Sequence, residues 1–184
     1  MSNSPKDIPA TAAQDVALHR ATHADAKLLS NLLELYIHDM SEIFPVEVGA
    51  DGRFGYERLP LYWSEPERRP AFLIRFGGRV VGFALVTRGS PATDDPDDLD
   101  VAEFFVLRRY RRSGVGRHAA ALLWDHIPGR WVVRVSEGNR AGLPFWEATI
   151  RDYTSGAYTA STRPGTPHPS RVFLFTSAPP RTAV

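Results

Sequence analysis

Apolar positions along the chain recur with two different periods, and the change from one to the other predicts strands and helices. Asp15 to Arg20 alternates apolar and polar residues, as a half-buried strand does. Thr22 is a candidate cap for the helix that follows, in which leucines recur at helical spacing up to Met40. Two apolar runs on either side of Gly77-Gly78 then predict a β-hairpin. These runs are Ala71 to Phe76 and Arg79 to Thr87.

The second half of the chain continues this alternation. Val101 to Leu107 and Trp131 to Val135 are apolar enough for buried strands, and the Ala/Leu-rich segment Val115 to His126 between them predicts a helix. A further helix is predicted from Ala141 to Ile150. Two closing strands are expected, at Tyr153 to Thr162 and at Arg171 to Thr176. This order predicts a mixed α/β fold of the α+β kind, with helices packed against a central sheet.

The remaining segments are expected to be irregular. Pro45 to Pro70 carries Gly, Pro and several aromatic residues, a composition typical of a lid or a substrate wall. The aspartate-rich segment Gly89 to Asp100 is more consistent with a solvated loop than with a calcium site, because an EF-hand glycine and glutamate are absent. We expect a flexible leader over residues 1–14, a single domain over 15–177 and a flexible tail over 178–184.

Composition narrows the class of protein. The chain has 184 residues, no internal repeat and 43% hydrophobic residues, which suits one domain with a substantial core. Its 22 Lys and Arg nearly balance its 21 Asp and Glu, which gives a formal net charge of +1. A net charge this small argues against a nucleic-acid backbone as the main partner. The absence of Cys excludes disulfides and a cysteine nucleophile. No apolar run approaches the roughly 20 residues that cross a bilayer, so we expect a cytoplasmic protein without a membrane partner.

A cationic glycine turn joins the strand Val101 to Leu107 to the next helix. The first turn of a helix has unpaired N–H groups and lies at the positive end of the helix dipole, so it attracts anions. Gly114 and Gly116 lack the Cβ atoms that would keep a bulky pyrophosphate from the backbone. The flanking cations are Arg111, Arg112 and Arg117. A solvated basic turn is the simpler alternative, but the strand–turn–helix context favours an anion site.

The element order and two motifs resemble the GNAT superfamily of acyl-CoA-dependent N-acyltransferases, over about Val16 to Phe175. The first motif is Arg111-Arg-Ser-Gly-Val-Gly116, which follows a strand as the family signature does. The second is Asn139-Arg-Ala141, followed by Phe145-Trp146. The resemblance implies a mostly antiparallel sheet of about six or seven strands, flanked by helices and splayed between the fourth and fifth strands.

The resemblance also implies acetyl-CoA as the acyl donor and no metal. Its pantetheine arm would pair with the strand at Phe104, Phe105 and Val106, while the amides of residues 112–117 would hold the pyrophosphate. Asn139 would contact the cofactor, although capping of the following helix is an equal alternative. The full implied set is Phe104, Phe105, Val106, Arg111, Arg112, Ser113, Gly114, Val115, Gly116, Arg117, Asn139 and Trp146.

The implied reaction is direct acetyl transfer to a primary amine of a small molecule or peptide through a tetrahedral intermediate. An ammonium group must first lose a proton, so a base is needed. Glu103 is the first candidate, with a salt bridge to a neighbouring arginine as the alternative role. Asp100 is the second candidate, with an exposed loop charge as its alternative.

The general acid and the acceptor are less well defined by the sequence. Trp146 stands where the family has a tyrosine acid, and an indole N–H lacks useful acidity. Tyr153 is the first replacement candidate, ahead of Tyr158, Tyr36 and Tyr62. Tyr36, Asp39 and Tyr62 are expected to line the acceptor site. Because of Trp146, a catalytically weak acyl-CoA-binding module is the alternative function. The acceptor, the acyl length and the oligomeric state stay open, with a homodimer among the possibilities.

Overall fold

Seven strands form one sheet in the computed structural model, which describes residues 15–177. The predicted leader (1–14) and tail (178–184) lie outside the described residues. The strands are β1 (Val16–Arg20), β2 (Ala71–Phe76), β3 (Arg79–Arg88), β4 (Leu99–Val106), β5 (Gly129–Ser136), β6 (Thr159–Arg163) and β7 (Ser170–Ser177). Their spatial order is β1-β2-β3-β4-β5-β7-β6, and all neighbours are antiparallel except the parallel pair β4 and β5. The predicted mixed, mostly antiparallel sheet is therefore confirmed.

Helices cover both faces of this sheet. They are α1 (Ala26–Met40), α2 (Leu61–Ser64), α3 (Val115–His126) and α4 (Gly142–Thr154). Helix α1 buries Leu29 and Leu33 against Phe83 of β3. Helices α3 and α4 bury Trp124 and Ile150 on the opposite face, where Ala84, the neighbour of Phe83 in β3, also points. Helices α1, α3 and α4 thus each have one apolar side, as the spacing of their apolar residues predicts.

The first closing strand was placed too early by the sequence pattern. Tyr153 is helical, because α4 continues to Thr154 and β6 begins only at Thr159. The Tyr153 ring packs on Trp124 with ring centroids 4.8 Å apart, which extends the apolar stripe of α4 by one turn. The helix then ends at Ser155 and Gly156, whose φ angles are 53° and 86°.

Strands β4 and β5 pair only at their beginnings. The paired positions are Leu99 with Trp131 and Asp100 with Val132. Immediately afterwards the pairing of β4 with β3 shifts register, from Glu103 opposite Leu85 to Val101 opposite Val86, which leaves one extra residue in β4. Such a bulge bends a strand and increases its twist. The bend accounts for the divergence of β4 from β5, and the predicted splay between the fourth and fifth strands is confirmed.

Candidate active site

A cavity of about 460 Å³ occupies the opening between β4 and β5. Its walls come from these two strands, from α1, from the loop that follows α1 and from the start of α4. The lining residues are Tyr36, Ile37, Met40, Phe44, Val46, Tyr56, Arg58, Val101, Ala102, Glu103, Phe104, Val133, Arg134, Val135, Ser136, Asn139, Trp146 and Ser170. The segment 45–70, which also contains α2, therefore supplies part of a wall through Val46, Tyr56 and Arg58.

Glu103 lies in this cavity and is held by two tyrosines. Tyr36 Oη donates a hydrogen bond to Glu103 Oε2 at 2.5 Å, and Tyr56 Oη donates to Oε1 at 3.0 Å. Among the described residues, no Arg, Lys or His makes a salt bridge with Glu103, so the structural alternative raised for it does not hold. Burial raises the pKa of Glu103, and the hydrogen bonds from Tyr36 and Tyr56 oppose that rise only in part. A buried carboxyl with a raised pKa in a cleft is suited to proton transfer.

The two tyrosines are suited to remain hydrogen-bond donors. Burial, and next the charge of Glu103, raise the pKa of Tyr36 well above its ordinary value, and the same two causes raise the pKa of Tyr56. Sequence reasoning did not single out Tyr56, although it lies in the segment identified as a wall. Tyr62 does not line the cavity, since it is buried in the cluster beneath α1. Burial raises the pKa of Tyr62 to about 12.

Asp100 lies outside the cavity and is completely buried in an ion pair. Arg134 donates to its two carboxylate oxygens at 2.8 and 2.9 Å, and Ser90 Oγ donates to one of the same oxygens. The expectation that Asp100 could be an exposed loop charge is wrong, because its relative exposure is 0%. With both oxygens occupied, Asp100 fastens β4 to β5 just before the strands diverge. The structure does not bring it into the cleft as a base.

We predict that Asp100→Asn destabilises the fold without acting directly on the reacting groups. Removing one partner of a buried pair typically costs about 3–5 kcal/mol. The cost here should lie nearer about 2–3 kcal/mol, because 33% of the Arg134 side chain is exposed to solvent. Urea unfolding measures this change in free energy. Asp97→Asn, an exposed change in the loop that precedes β4, is the control and should leave stability unaltered. Equal stability of both variants would contradict a structural role for the pair.

Asp39 is also occupied by arginines rather than open to a substrate. Arg108 donates to its Oδ1 at 2.6 Å and Arg111 donates to its Oδ2 at 2.5 Å. Arg111 additionally donates to the carbonyl oxygen of Val106 at 2.7 Å. Burial acts to raise the pKa of Asp39, but the hydrogen bonds from Arg111 and Arg108 outweigh it and lower the pKa. Asp39 therefore joins the end of α1 to the cationic turn, and it does not line the cavity.

The cationic turn presents free backbone donors. Gly114 caps α3 with a φ of 87°, in the left-handed region that favours glycine, and Arg112 has a φ of 62°. Within the described part of the chain, the N–H groups of residues 112–117 donate no hydrogen bond, whereas His118 N–H already bonds to the Gly114 carbonyl. Arg117 pairs with Asp152 at 2.9 Å. The turn thus has the unpaired donors that an anion site requires.

Gly116 lies where α3 packs closely on α4. A Cβ atom at Gly116 would lie 3.3 Å from ring atoms of Phe145 on α4. This contact is tighter than ordinary packing, so the glycine permits close approach of α3 and α4. Close packing of α3 on α4 is therefore one reason for a glycine at this position, and the predicted access for a pyrophosphate stays a prediction.

The residues implied by the second motif lie along one wall. Trp146 packs its ring edge-on against Phe104, with centroids 5.0 Å apart, and both line the cavity. Asn139 also lines the cavity, while its Oδ1 accepts a hydrogen bond from Gly142 N–H at 2.7 Å. Capping of α4 therefore accompanies any contact that Asn139 makes in the cleft.

Tyr153 is remote from these groups. Its hydroxyl donates to Asp125 Oδ1 at 2.7 Å, and its ring packs between Trp124 and Phe175. Of the tyrosines considered as a general acid, the structure brings Tyr36 to the cavity but not Tyr153, Tyr158 or Tyr62. Tyr36 was also expected to line the acceptor site together with Asp39 and Tyr62, and of these three only Tyr36 lines the cavity.

No cluster of three or more His, Asp or Glu side chains within residues 15–177 is arranged to hold a metal ion. None of the helices described for this chain has both the length and the apolar character needed to cross a membrane.

Solved structures with this fold include several acetyltransferases. An acetyltransferase from Thermus thermophilus is 18% identical, with a TM-score of 0.63, and the match covers 88% of this chain and 96% of that protein. Spermidine N-acetyltransferase from Vibrio cholerae, in complex with CoA and spermine, is 12% identical with a TM-score of 0.61 over 89% and 96%. The yncA protein of Salmonella typhimurium, solved with its cofactor acetyl-CoA, is 16% identical with a TM-score of 0.60 over 91% and 97%.

A sequence comparison with curated proteins gave no match. The family model described as the acetyltransferase (GNAT) family matches residues 29–149, which is more than half of the 184-residue chain. The match extends from α1 to α4 and includes the cationic turn and both strands that form the cleft. The chain therefore belongs to the acetyltransferase (GNAT) family.

Proposed function

We propose that this protein transfers an acetyl group from acetyl-CoA to a primary amine of a small molecule or peptide. The observation that carries the proposal is the cavity between the diverging strands β4 and β5, with Glu103 held inside it by Tyr36 and Tyr56. Family membership and the solved structures that contain CoA or acetyl-CoA support the choice of donor.

The residues at the cationic turn fit the donor. The N–H groups of residues 112–117 have no acceptor among the described residues, and the side-chain-free position Gly114 stands at the helix start. A pyrophosphate would accept such hydrogen bonds and be favoured by the helix dipole. Beyond Asp100, β4 has no strand partner on the β5 side, so its edge there is available to pair with an extended pantetheine arm. Phe104 would contribute to that edge.

When bound, acetyl-CoA would supply a thioester carbonyl carbon, to which the amine nitrogen forms a bond before the carbon–sulfur bond breaks and the CoA thiolate leaves. Starting from an ammonium ion, the nitrogen gives up two protons overall, one of which ends on the thiol and one in solvent. Glu103 is the group in the cleft that can accept the first of these protons. Tyr36 and Tyr56 hold its carboxylate in position, so the orientation of the base is set before the amine arrives.

No general acid is assigned. Tyr153 is bonded to Asp125 away from the cavity, and Trp146 occupies the wall where the acid was expected. Tyr36 lies in the cavity, but its hydroxyl donates to Glu103 and burial raises its pKa well above the ordinary value, which makes it a poor acid. A thiol has an ordinary pKa of about 8.5, so the leaving group can be protonated by solvent without help from the protein. The absence of an assigned acid is therefore compatible with turnover.

Trp146 also keeps a second candidate function open, a module that binds acyl-CoA with little or no turnover. Calorimetric titration with acetyl-CoA, followed by assays of thiol release over a panel of amines, separates the two functions. We expect binding together with amine-dependent thiol release that exceeds hydrolysis in the absence of amine. Binding without any amine-dependent release would favour the module. Failure to bind acetyl-CoA would overturn both.

A further inference from the structure

We infer that the acceptor is a primary amine that carries an apolar body and a carboxylate group, and that Arg58 binds this carboxylate. The inference rests on the proposed acetyl transfer, because it names the class of amine for the same cleft. Arg58 lies in the loop between α1 and α2 and lines the cavity. Its guanidinium makes no ion pair and no hydrogen bond with any other residue in the described part of the chain, and its side chain is exposed.

Among the described residues that line the cavity, Arg58 is the cation without an ion-pair partner. The other cation that lines the cavity, Arg134, is neutralised by Asp100 through two hydrogen bonds. A guanidinium has several N–H donors in a planar fork, a geometry that matches a carboxylate. An unpaired guanidinium at a cleft wall is therefore a recognition group for an anion.

The carboxylate that lines the cavity, and Asp39 at the end of α1, do not offer a site for a polycation. Glu103 is the acidic residue in the lining, and it is buried between two tyrosines. Asp39 is occupied by Arg108 and Arg111. A polyamine carries several positive charges and needs several free carboxylates, so this wall is poorly matched to one.

Glu34 is likewise occupied by contacts within the protein. It accepts hydrogen bonds from Arg53 at 3.2 Å and from the N–H of Phe54 at 2.7 Å. Burial acts to raise the pKa of Glu34, but these backbone and arginine contacts outweigh it and lower the pKa. The carboxylate therefore serves to hold the loop against α1 and is not available to an acceptor.

The part of the wall formed by the end of α1 and the start of the following loop is apolar. Ile37 and Met40 of α1 line the cavity together with Phe44 and Val46 from the start of the following loop. Burying an aliphatic or aromatic group there is favourable at roughly 25 cal/mol per Å² of apolar surface. The cavity presents three kinds of group, and such an acceptor matches each of them. Its amine would lie near Glu103, its apolar body on this wall and its carboxylate at Arg58.

The test compares amines that differ only in the carboxylate. L-Phenylalanine is paired with phenethylamine, ε-aminocaproate is paired with pentylamine, and spermidine represents the polyamines. Thiol release from acetyl-CoA gives kcat/KM, and calorimetry on protein saturated with CoA gives affinity without requiring turnover. We expect at least one carboxylate to be preferred over its partner and over spermidine. The preference should weaken as salt is raised, because Arg58 is exposed.

Arg58→Gln should remove that preference while leaving the carboxylate-free amines unaffected. We expect kcat/KM for the preferred carboxylate to fall roughly tenfold, as suits one charge-assisted contact at an exposed site. Arg79→Gln, an exposed arginine in the β2–β3 hairpin, is the matched control. Acetyl-CoA affinity should stay unchanged in both variants, and a loss in Arg58→Gln would assign Arg58 to the donor and overturn the inference.

The two proposals fail in distinguishable ways. Acetylation of amines without a carboxylate preference, or with spermidine as the best acceptor, overturns the substrate class and leaves acetyl transfer standing. Carboxylate-selective binding that depends on Arg58, without any turnover, supports the class and contradicts the transfer. An absence of both binding and acetylation for every carboxylate tested overturns the inference about Arg58.

Discussion

Glu103→Gln is expected to lower kcat by about 100-fold or more, since a positioned general base typically contributes factors of 10²–10⁴. Glutamine keeps the size of the side chain and an oxygen acceptor for Tyr36 or Tyr56, but it cannot take a proton from the amine. The cavity and the cationic turn are otherwise unchanged, so acetyl-CoA affinity should be retained. Steady-state kinetics and calorimetric titration of the same preparation measure these two quantities.

The pH dependence of the rate tests the role of Glu103 more specifically. Burial raises the pKa of Glu103, so the wild-type rate should fall as the pH drops through that raised value and Glu103 becomes protonated. The variant should lack this acidic limb. Glu47→Gln, an exposed change in the loop after α1, is the control and should keep the wild-type profile. A Glu103→Gln profile identical to the wild-type profile would remove Glu103 from the mechanism.

Measuring the stability of Glu103→Gln distinguishes loss of the general base from damage to the folded structure. A carboxyl whose pKa is raised on folding stabilises the folded state most at acidic pH, and this contribution is lost as the pH rises through the folded-state pKa. At neutral pH the buried charge therefore costs stability, and replacing Glu103 with the neutral glutamine should leave the protein at least as stable as the wild type. Thermal unfolding at neutral pH measures the stability of the variant relative to the wild type. If the variant were less stable, structural damage and not loss of the base would explain its slow rate.

Local patterns in the sequence were sufficient for most of the fold. Alternation, helical spacing and the Gly77-Gly78 turn each involve neighbours in the chain, and the elements they predict are present. The end of α4 was misplaced although Gly156 is a possible stop signal. The choice between continuing and stopping depends on whether Tyr153 finds a packing partner, and that partner, Trp124, lies on another helix.

The roles of charged residues were harder to infer because they depend on pairing between distant segments. Asp100 belongs to an acidic surface loop by composition, yet Arg134 from the neighbouring strand makes it a buried structural ion. Asp39 is similarly paired with Arg108 and Arg111 in salt bridges. Sequence proximity could place Glu103 on the cleft strand, but it could not indicate that Tyr56, from an irregular loop, would hold its carboxylate.

Gly114→Glu is expected to reduce acetyl-CoA affinity by on the order of 100-fold or more, because it places a negative charge at the anion-attracting start of α3. A Cβ atom at this position has as its nearest neighbour the His118 ring, at an ordinary contact distance of 3.6 Å. Steric conflict within the protein is therefore small. The left-handed φ of 87° adds a strain of about 1–2 kcal/mol for any side chain other than hydrogen.

Gly78→Glu separates that backbone strain from the effect on the anion site. Gly78 has a comparable φ of 75°, in the hairpin between β2 and β3, and a Cβ atom there would meet nothing within 4 Å. Both variants should lose similar stability in urea unfolding, whereas only Gly114→Glu should lose acetyl-CoA binding in calorimetry. If the two variants bound acetyl-CoA equally well, the donor's pyrophosphate could not lie against the N–H groups of residues 112–117, since a carboxylate beside those groups would repel it.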